Sequence, residues 1–445
     1  MKFVQIFRKI TAAVLLLTML GGCVLRDAEP SGLVDAESSA AETLAGSAEA
    51  ETAEVVTEPG TETVMEVIPE VVPEPAPMPV PDAEPEVIPV PEPAPDVVPE
   101  PEIVPETPDE VRERRISEEL AQMTAREKLG QMFMAAYTDA SAAAIADYAF
   151  GAYILFAGNF EFETVDTLSA KMADLQAQAK YGLLTAVDEE GGTVTRISRF
   201  TQFRADKFKS PRTLYSWGGM DAIRKDTTEK SALLRSLGLN LNMAPVADIS
   251  VNQGDFMYWR SVGLDAAGTA DFVRTVIRES KANGIGSVAK HFPGYGSVAD
   301  THTGMAYDNR TLDELRASDF VPFAAAVEEG VESVLVSHII TSAIDAEKPA
   351  SISAKTVALL RDELGYDGII MTDDLAMAGI TDYCATGNAA LEAILAGCDM
   401  LCCTNWDTQY PAVWAAVESG TITEERLNES AARILRVKYD MGLWK

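Results

Sequence analysis

From residue 112 to the end of the chain, short apolar runs alternate with amphipathic stretches, and this alternation limits the fold more than any other feature. The runs lie at 130–134, 152–156, 183–187, 239–244, 285–289, 333–336, 368–371 and 400–402. Helical spacing fills the gaps, for example at 265–283, 312–329, 353–364 and 388–396. An opening helix at 112–130 carries Ile116, Leu120, Met123 and Leu129 roughly on one face. Short, nearly all-apolar runs between helices are the pattern of parallel strands covered on both faces. Eight such β/α units predict an α/β fold, a (β/α)8 TIM-type barrel. A doubly wound open sheet is the alternative, but no Gly-x-Gly-x-x-Gly follows the first run.

Polar residues gather just after these runs. The third run leads into Asp188, Glu189, Glu190, Gly191 and Gly192, and the fourth into Pro245 and Asp248. The fifth leads into Lys290 and His291, the sixth into Ser337 and His338, and the seventh into Asp373 and Asp374. The chain has three histidines, His291, His302 and His338, and all follow strand ends. In a barrel those ends share one mouth, where the loops build the active site. A lone histidine beside a strand is usually a structural group; three at one mouth beside several acids point to chemistry. The stretch 290–302, KHFPGYGSVADTH, concentrates this signal.

The first quarter of the chain reads differently. Lys2, Arg8 and Lys9 precede a short apolar core at 12–20 and then Leu20-Gly21-Gly22-Cys23, the order of an export signal. The core is too short for a bilayer span of about 20 residues. The LGGC sequence resembles a bacterial lipobox, which makes 1–22 a lipoprotein signal peptide and Cys23 the lipidated residue. Between Val24 and Glu110, 23 acidic residues face one basic residue, Arg26, so most of the net charge of −33 lies there. Proline at every second or third position from about residue 69 forbids helices and sheet ladders and favours an extended chain. At ~3.1 Å per residue that stretch could reach on the order of 100 Å. Residues 23–111 are therefore expected to be a disordered acidic stalk, and 112–445 the catalytic barrel. The predicted location is the outer face of a bacterial cell membrane, through a lipid anchor, or secreted. The acidic balance excludes nucleic acid as a partner. Cys384, Cys398, Cys402 and Cys403 lack the paired knuckles of a metal site and read as buried thiols.

Five stretches of the barrel region resemble glycoside hydrolase family 3, specifically its single-domain β-N-acetylglucosaminidases of the peptidoglycan-recycling type. They are VDEEGGTVTRI at 187–197, MAPVADI at 243–249, RSVG at 260–263, AKHFPGYGSVADTH at 289–302 and GIIMTDDLAM at 368–377, in the family's order. The resemblance implies retaining hydrolysis on a (β/α)8 barrel, with Asp373 as the nucleophile and a His302–Asp300 pair as acid and then base. Its chemical sense is plain: imidazole titrates near neutrality, and a carboxylate on its other nitrogen orients it and steadies the imidazolium. The resemblance also makes Asp188, Arg196, Arg260, Lys290 and His291 sugar-binding positions. Each of the four cationic or imidazole groups could instead be a salt-bridge partner of the mouth carboxylates. The neighbouring Asp374 is the rival nucleophile, although a strand alternates its faces. No cofactor and no metal are implied, the partner is a carbohydrate, and the enzyme is expected to be a monomer.

The sequence departs from the family at Tyr295, where His is common, and at Thr193, where Arg is common; the 290–302 loop also looks one residue short. The reading that follows is an exo-β-N-acetylglucosaminidase acting on peptidoglycan fragments or chitooligosaccharides. The alternatives are a β-glucosidase or β-xylosidase of the same family, a phosphorylase, or an inactive saccharide-binding surface lipoprotein. The two-domain members draw a carboxylate acid/base from a second domain, for which this chain is expected to have no room.

Overall fold

The computed structural model describes residues 105–301, 304–381, 383–384 and 387–444. The expected signal peptide, Cys23, the stalk up to residue 104 and His302 lie outside the described residues. The first described helix, Pro108–Gln122, begins ahead of the expected boundary at 112 because Thr107 and Glu110 form a reciprocal capping box. It is not continuous with the next helix. A second capping box, Thr124 with Glu127, starts a new helix at Ala125–Gln131, so the expected single helix is broken and the first strand begins later than expected.

The barrel strands are β1 Phe133–Ala136, β2 Ala152–Leu155, β3 Leu184–Val187, β4 Leu241–Asn242, β5 Gly286–Phe292, β6 Ser333–Val336, β7 Ile369–Thr372 and β8 Leu401–Cys403. Nearly every strand residue is buried, which is why the runs are continuously apolar rather than alternating. All neighbours in the sheet are parallel, in the order β8-β1-β2-β3-β4-β5-β6-β7. The two ends meet through a parallel bridge between Met371 and Met400, with the Thr372 amide donating to the Met400 carbonyl at 3.0 Å. That closes the sheet into the expected barrel. Asp399 fastens the seam: fully buried, it accepts from the Ile370 amide at 3.0 Å and Ser430 Oγ at 2.8 Å, and pairs with Arg361 and Arg433.

Helices cover the outside. Ala266–Ala282 and Ala389–Ala396 fall where spacing predicts them, each started by a side-chain cap, Asp265 and Asn388 respectively. The expected helix at 312–329 is two helices, Leu312–Ala317 and Phe320–Glu328, because the backbone leaves helical geometry at Ser318. The terminal helix Glu424–Asp440 packs against Pro108–Gln122, burying Ile116, Met123 and Leu435 together. Of the four barrel cysteines, Cys398, Cys402 and Cys403 are buried free thiols as expected; Cys384 is only half-buried, since it follows β7 in a loop instead of in the eighth run. At the mouth, a short parallel pair, Tyr307–Asp308 with Ile340–Thr341, ties the long loop after β5 to the loop after β6. Among the described residues no helix is long and apolar enough to cross a membrane.

Candidate active site

The C-terminal ends of the strands surround a cavity of about 670 Å³. Asp188, Arg196, Arg260, Lys290, His291, Asp300 and Asp373 all line it, with Ile154, Met243, Leu335 and Cys402 forming its apolar floor. Seven of the eight barrel positions that the resemblance gives a catalytic or sugar-binding role thus meet in one place, although they span more than 180 residues of chain. The eighth, His302, is the position outside the described residues.

The turn after β3 supplies the first wall. Gly191 adopts φ +105°, and a Cβ there would lie 2.2 Å from the Lys209 carbonyl, so the tight turn needs glycine. Glu189 is buried and takes no part in the cavity wall: its carboxylate accepts from the Arg196 and Ile197 amides at 2.8 and 2.7 Å and so shapes the loop. Glu190 turns inward. Its carboxylate receives Arg260 through Nε at 3.0 Å and Nη2 at 2.7 Å, and Lys290 Nζ at 2.7 Å. Lys290 Nζ also reaches Asp188 Oδ1 at 2.6 Å. Burial alone would raise the Glu190 carboxyl, but the Arg260 and Lys290 charges outweigh it and hold it well below the usual range. Burial would likewise lower Lys290, yet Asp188 and Glu190 keep it raised and charged. A buried, mutually compensated set of this kind holds its charges in fixed positions, ready for a polar ligand.

The strand β5 brings Lys290 and His291 to the same wall. Adjacent residues of a regular strand face opposite ways. Here the register against β6 shifts between Lys290 and Phe292, an irregularity that lets both side chains reach the mouth. His291 is then oriented from two sides. Its Nδ1 lies 2.7 Å from Asp248 Oδ2, and its Nε2 lies 3.2 Å from Arg260 Nη2. The Tyr295 ring meets the imidazole edge-on at 5.2 Å. Tyr295 is fully buried, its amide donates to Asp248 Oδ1 at 2.8 Å, and its hydroxyl lies 2.6 Å from Thr301 Oγ1. The departure from the family at this position is thus a packing element under the loop, not a second imidazole in the cavity. Arg310 braces the same turn, donating to the Gly294 carbonyl at 3.2 Å while paired with Asp308 and Asp319.

Across the cavity stands the end of β7. The Asp373 amide donates to the Val336 carbonyl at 3.0 Å, and its Oδ1 accepts the Asp374 amide at 2.9 Å. Burial pushes the Asp373 carboxyl up, but His338, His291, the Asp374 amide and Lys290 more than offset this and hold it below the ordinary carboxylate range. Asp374 is occupied otherwise. Its Oδ2 accepts from Thr404 Oγ1 at 2.7 Å and its Oδ1 from the Ala376 amide at 3.1 Å, which pins the loop onto β8. His338 holds this corner from behind: Nε2–H donates to the Asp374 carbonyl at 3.0 Å, and Nδ1 faces Ser351 Oγ at 2.8 Å. Buried completely, it positions the Asp373–Asp374 turn.

Sequence reading named Arg260 and Lys290 as sugar donors with ion pairing as the alternative; both line the cavity and both are ion-paired. Glu190, Asp248 and His338 stood among the strand-end polar residues but received no role. Their signal was their position, and their pairing depends on contacts across strands. Arg310 and Thr404 gave no signal of position, since neither directly follows one of the eight apolar runs, and Tyr295 stood out only as a departure from the family. Among the described residues no group of three or more His, Cys, Asp or Glu is placed to hold a metal ion. A second cavity of about 420 Å³ lies beneath the other end of the strands, beside Ile285, Gly286, Val331 and Gly368. It holds none of the strand-end groups, and its Arg433 and Arg436 are tied to Asp367 and Glu113.

Comparison with known proteins matches residues 124–437 to the glycosyl hydrolase family 3 N-terminal domain. The chain is 30% identical over 344 residues to a protein of Cellulomonas fimi named beta-N-acetylglucosaminidase/beta-glucosidase, covering 73% of this chain and 59% of that one. It is 33% identical over 303 residues to a beta-hexosaminidase of Methylococcus capsulatus, covering 65% of this chain and 86% of the relative. Among solved structures it is similar to a glycoside hydrolase family 3 beta-N-acetylglucosaminidase from Paenibacillus sp., with a TM-score of 0.67 and 30% identity over 72% of this chain and 63% of that one. The chain therefore spans under two thirds of the Cellulomonas and Paenibacillus proteins, and most of the Methylococcus one.

Proposed function

The chain belongs to glycoside hydrolase family 3, and on that premise we propose that it is a retaining exo-β-N-acetylglucosaminidase. It would remove terminal β-linked N-acetylglucosamine from peptidoglycan fragments or chitooligosaccharides. The observation that carries this reading is the presence of two groups in one cavity: Asp188, Lys290, Arg260 and His291, braced from behind by Glu190, and the low-pKa Asp373. Lys and Arg only donate hydrogen bonds, whereas Asp188 only accepts when ionised, so together they suit a ring of hydroxyls and an N-acetyl carbonyl.

In the proposed mechanism the Asp373 carboxylate attacks the anomeric carbon as the glycosidic bond breaks, giving a glycosyl–aspartate ester. His302, oriented by Asp300, gives its proton to the leaving oxygen. The same imidazole then takes a proton from water, which hydrolyses the ester and frees Asp373 with retention of configuration. A nucleophile must be ionised at working pH, and the lowered pKa of Asp373 supports that role. Lys290 and Arg260 would grip the sugar while staying fixed to Glu190, so their geometry would be set before substrate arrives.

The test is release of nitrophenol from β-N-acetylglucosaminide, β-glucoside and β-xyloside substrates, with and without added phosphate. The N-acetyl substrate is expected to give the highest kcat/KM, with free sugar as product. Preference for the glucoside or xyloside would replace the substrate assignment, and a sugar 1-phosphate product would make the enzyme a phosphorylase.

We further propose export and anchoring as a monomer on the outer face of the cell membrane by a lipid on Cys23, with the acidic stalk as a spacer. This rests on the LGGC sequence and the proline-rich composition. In a bacterial host, Cys23→Ala should move the enzyme from the membrane fraction to a soluble one without loss of specific activity. Unchanged membrane association would refute the anchor.

A further inference from the structure

The mouth holds a large aromatic group that the proposed chemistry does not use. Trp259, in the loop after β4, lines the cavity and is 51% exposed, although indole is among the most costly side chains to leave in water. It is not loosely placed. The Tyr258 ring meets it edge-on at 4.9 Å, and the Arg212 guanidinium lies 3.8 Å from the centre of that Tyr258 ring. Arg212 in turn donates to the Tyr258 carbonyl at 2.9 Å and the Ser250 carbonyl at 2.6 Å. Through the next residue, Arg260, the loop is tied to Glu190 in the buried ionic set. A braced aromatic with an open face is a prepared contact surface, because little conformational freedom is lost when a ligand lands on it.

Its place in the mouth says which part of a ligand it meets. Phe256, in the same loop, packs on Tyr295 at 5.6 Å, and Tyr295 holds Thr301 in the loop after β5. That second loop also carries Asp300, which lines the same cavity. Trp259 therefore shares a loop with Phe256, which is linked through Tyr295 and Thr301 to the loop proposed to deliver the proton, and a proton is delivered to the leaving group. The charged wall around Lys290 reads hydroxyls; an indole face instead suits the apolar C–H face of a pyranose. At about 670 Å³ the cavity has room for more than one ring.

We infer that Trp259 is a stacking platform for the leaving saccharide, so that the enzyme selects substrates whose aglycone is itself a sugar ring. The inference rests on the glycosidase reading and deepens it by naming a residue that selects the leaving group.

The experiment compares wild type, Trp259→Ala and Trp259→Phe on two substrates with the same glycone. One is N,N′-diacetylchitobiose; the other is N-acetylglucosaminyl β-fluoride, whose leaving group has no ring. Trp259→Ala should lower kcat/KM for the disaccharide about tenfold more than for the fluoride, chiefly through KM, as expected of one lost aromatic contact. Trp259→Phe should recover most of the difference. Equal losses on both substrates, or no loss on the disaccharide, overturn the platform. If wild type cleaves only glucosyl substrates, the N-acetyl assignment fails by itself, and β-glucosyl fluoride with cellobiose gives the same ratio. A wild type that cleaves neither fluoride overturns both readings.

Discussion

Asp373→Ala is expected to cut kcat on the preferred aryl glycoside on the order of 10⁴-fold or more, the scale seen when the reacting group of a catalytic set is removed. That corresponds to about 5.5 kcal/mol of barrier. The acids around Asp373 are committed to other partners. Asp374 beside it is engaged by Thr404 and the Ala376 amide, and the strand-end set across the cavity is engaged with itself. None of these acids can take over without leaving such partners. Sodium azide should restore part of the activity to Asp373→Ala, since the small anion can attack the anomeric carbon from the vacated side. A β-glycoside would then give the α-glycosyl azide, and the anomer formed identifies the face. Azide rescue separates lost chemistry from lost folding, which a thermal melt of the variant checks directly. A variant that keeps more than a tenth of wild-type turnover without azide sinks the assignment.

His302→Ala is expected to lower kcat/KM on a disaccharide by about 10²–10⁴-fold, the usual weight of a general acid. The loss should be far smaller on a dinitrophenyl glycoside, whose leaving group departs without a proton. The pH profile gives an independent readout. With Asp373 held below the ordinary carboxylate range, the nucleophile stays ionised until the pH falls through that lowered value, so the acid limb lies below the range of an ordinary aspartate. The proton donor must be protonated in the first step, so kcat/KM falls as pH rises through the imidazole value, about 6.5 when unperturbed. Asp300→Asn removes the charge that favours the imidazolium and should move this alkaline limb to lower pH. His302→Ala should erase it. An alkaline limb that persists in His302→Ala would assign the acid to another residue.

The two predictions draw on different sources. The nucleophile assignment began as a motif position, and the fold adds that His338, His291 and Lys290 help hold the Asp373 carboxyl below its ordinary range against the effect of burial. The His302 assignment rests on the sequence and on where the loop around it is tied. Thr301 bonds Tyr295, and a Cβ on Gly379 would lie 2.8 Å from the Thr301 carbonyl, so the chain just before His302 is closely fitted. The tyrosine at 295, a departure from the resemblance, has a structural consequence. Tyr295 fills a small cluster with Val246, Met257, Ala306 and Ile339 that an imidazole could not fill as well.

The sequence by itself determined the barrel and the membership of its mouth. Eight buried parallel strands must be written as apolar runs, and a polar residue placed just after such a run has no choice but to stand at the strand's end. That is why Asp188, Lys290, His291 and Asp373 were legible without coordinates. The helix breaks at Thr124 and Ser318 were less legible, because the same apolar spacing suits one helix or two and only the caps and backbone turn decide. What the tertiary structure alone decided is how the mouth residues share their charges. Glu190 rather than Glu189 faces Lys290 and Arg260, because the glycine turn after β3 leaves one carboxylate bonded within the loop and the other against the cations that line the cavity. Lys290 and His291 reach the same wall at the irregularity in β5, where its register against β6 shifts. Arg260 and Glu190 lie 70 positions apart in the chain, and Lys290 and Asp188 lie 102 apart. Charge pairing acts through distance in space, which a linear pattern does not carry.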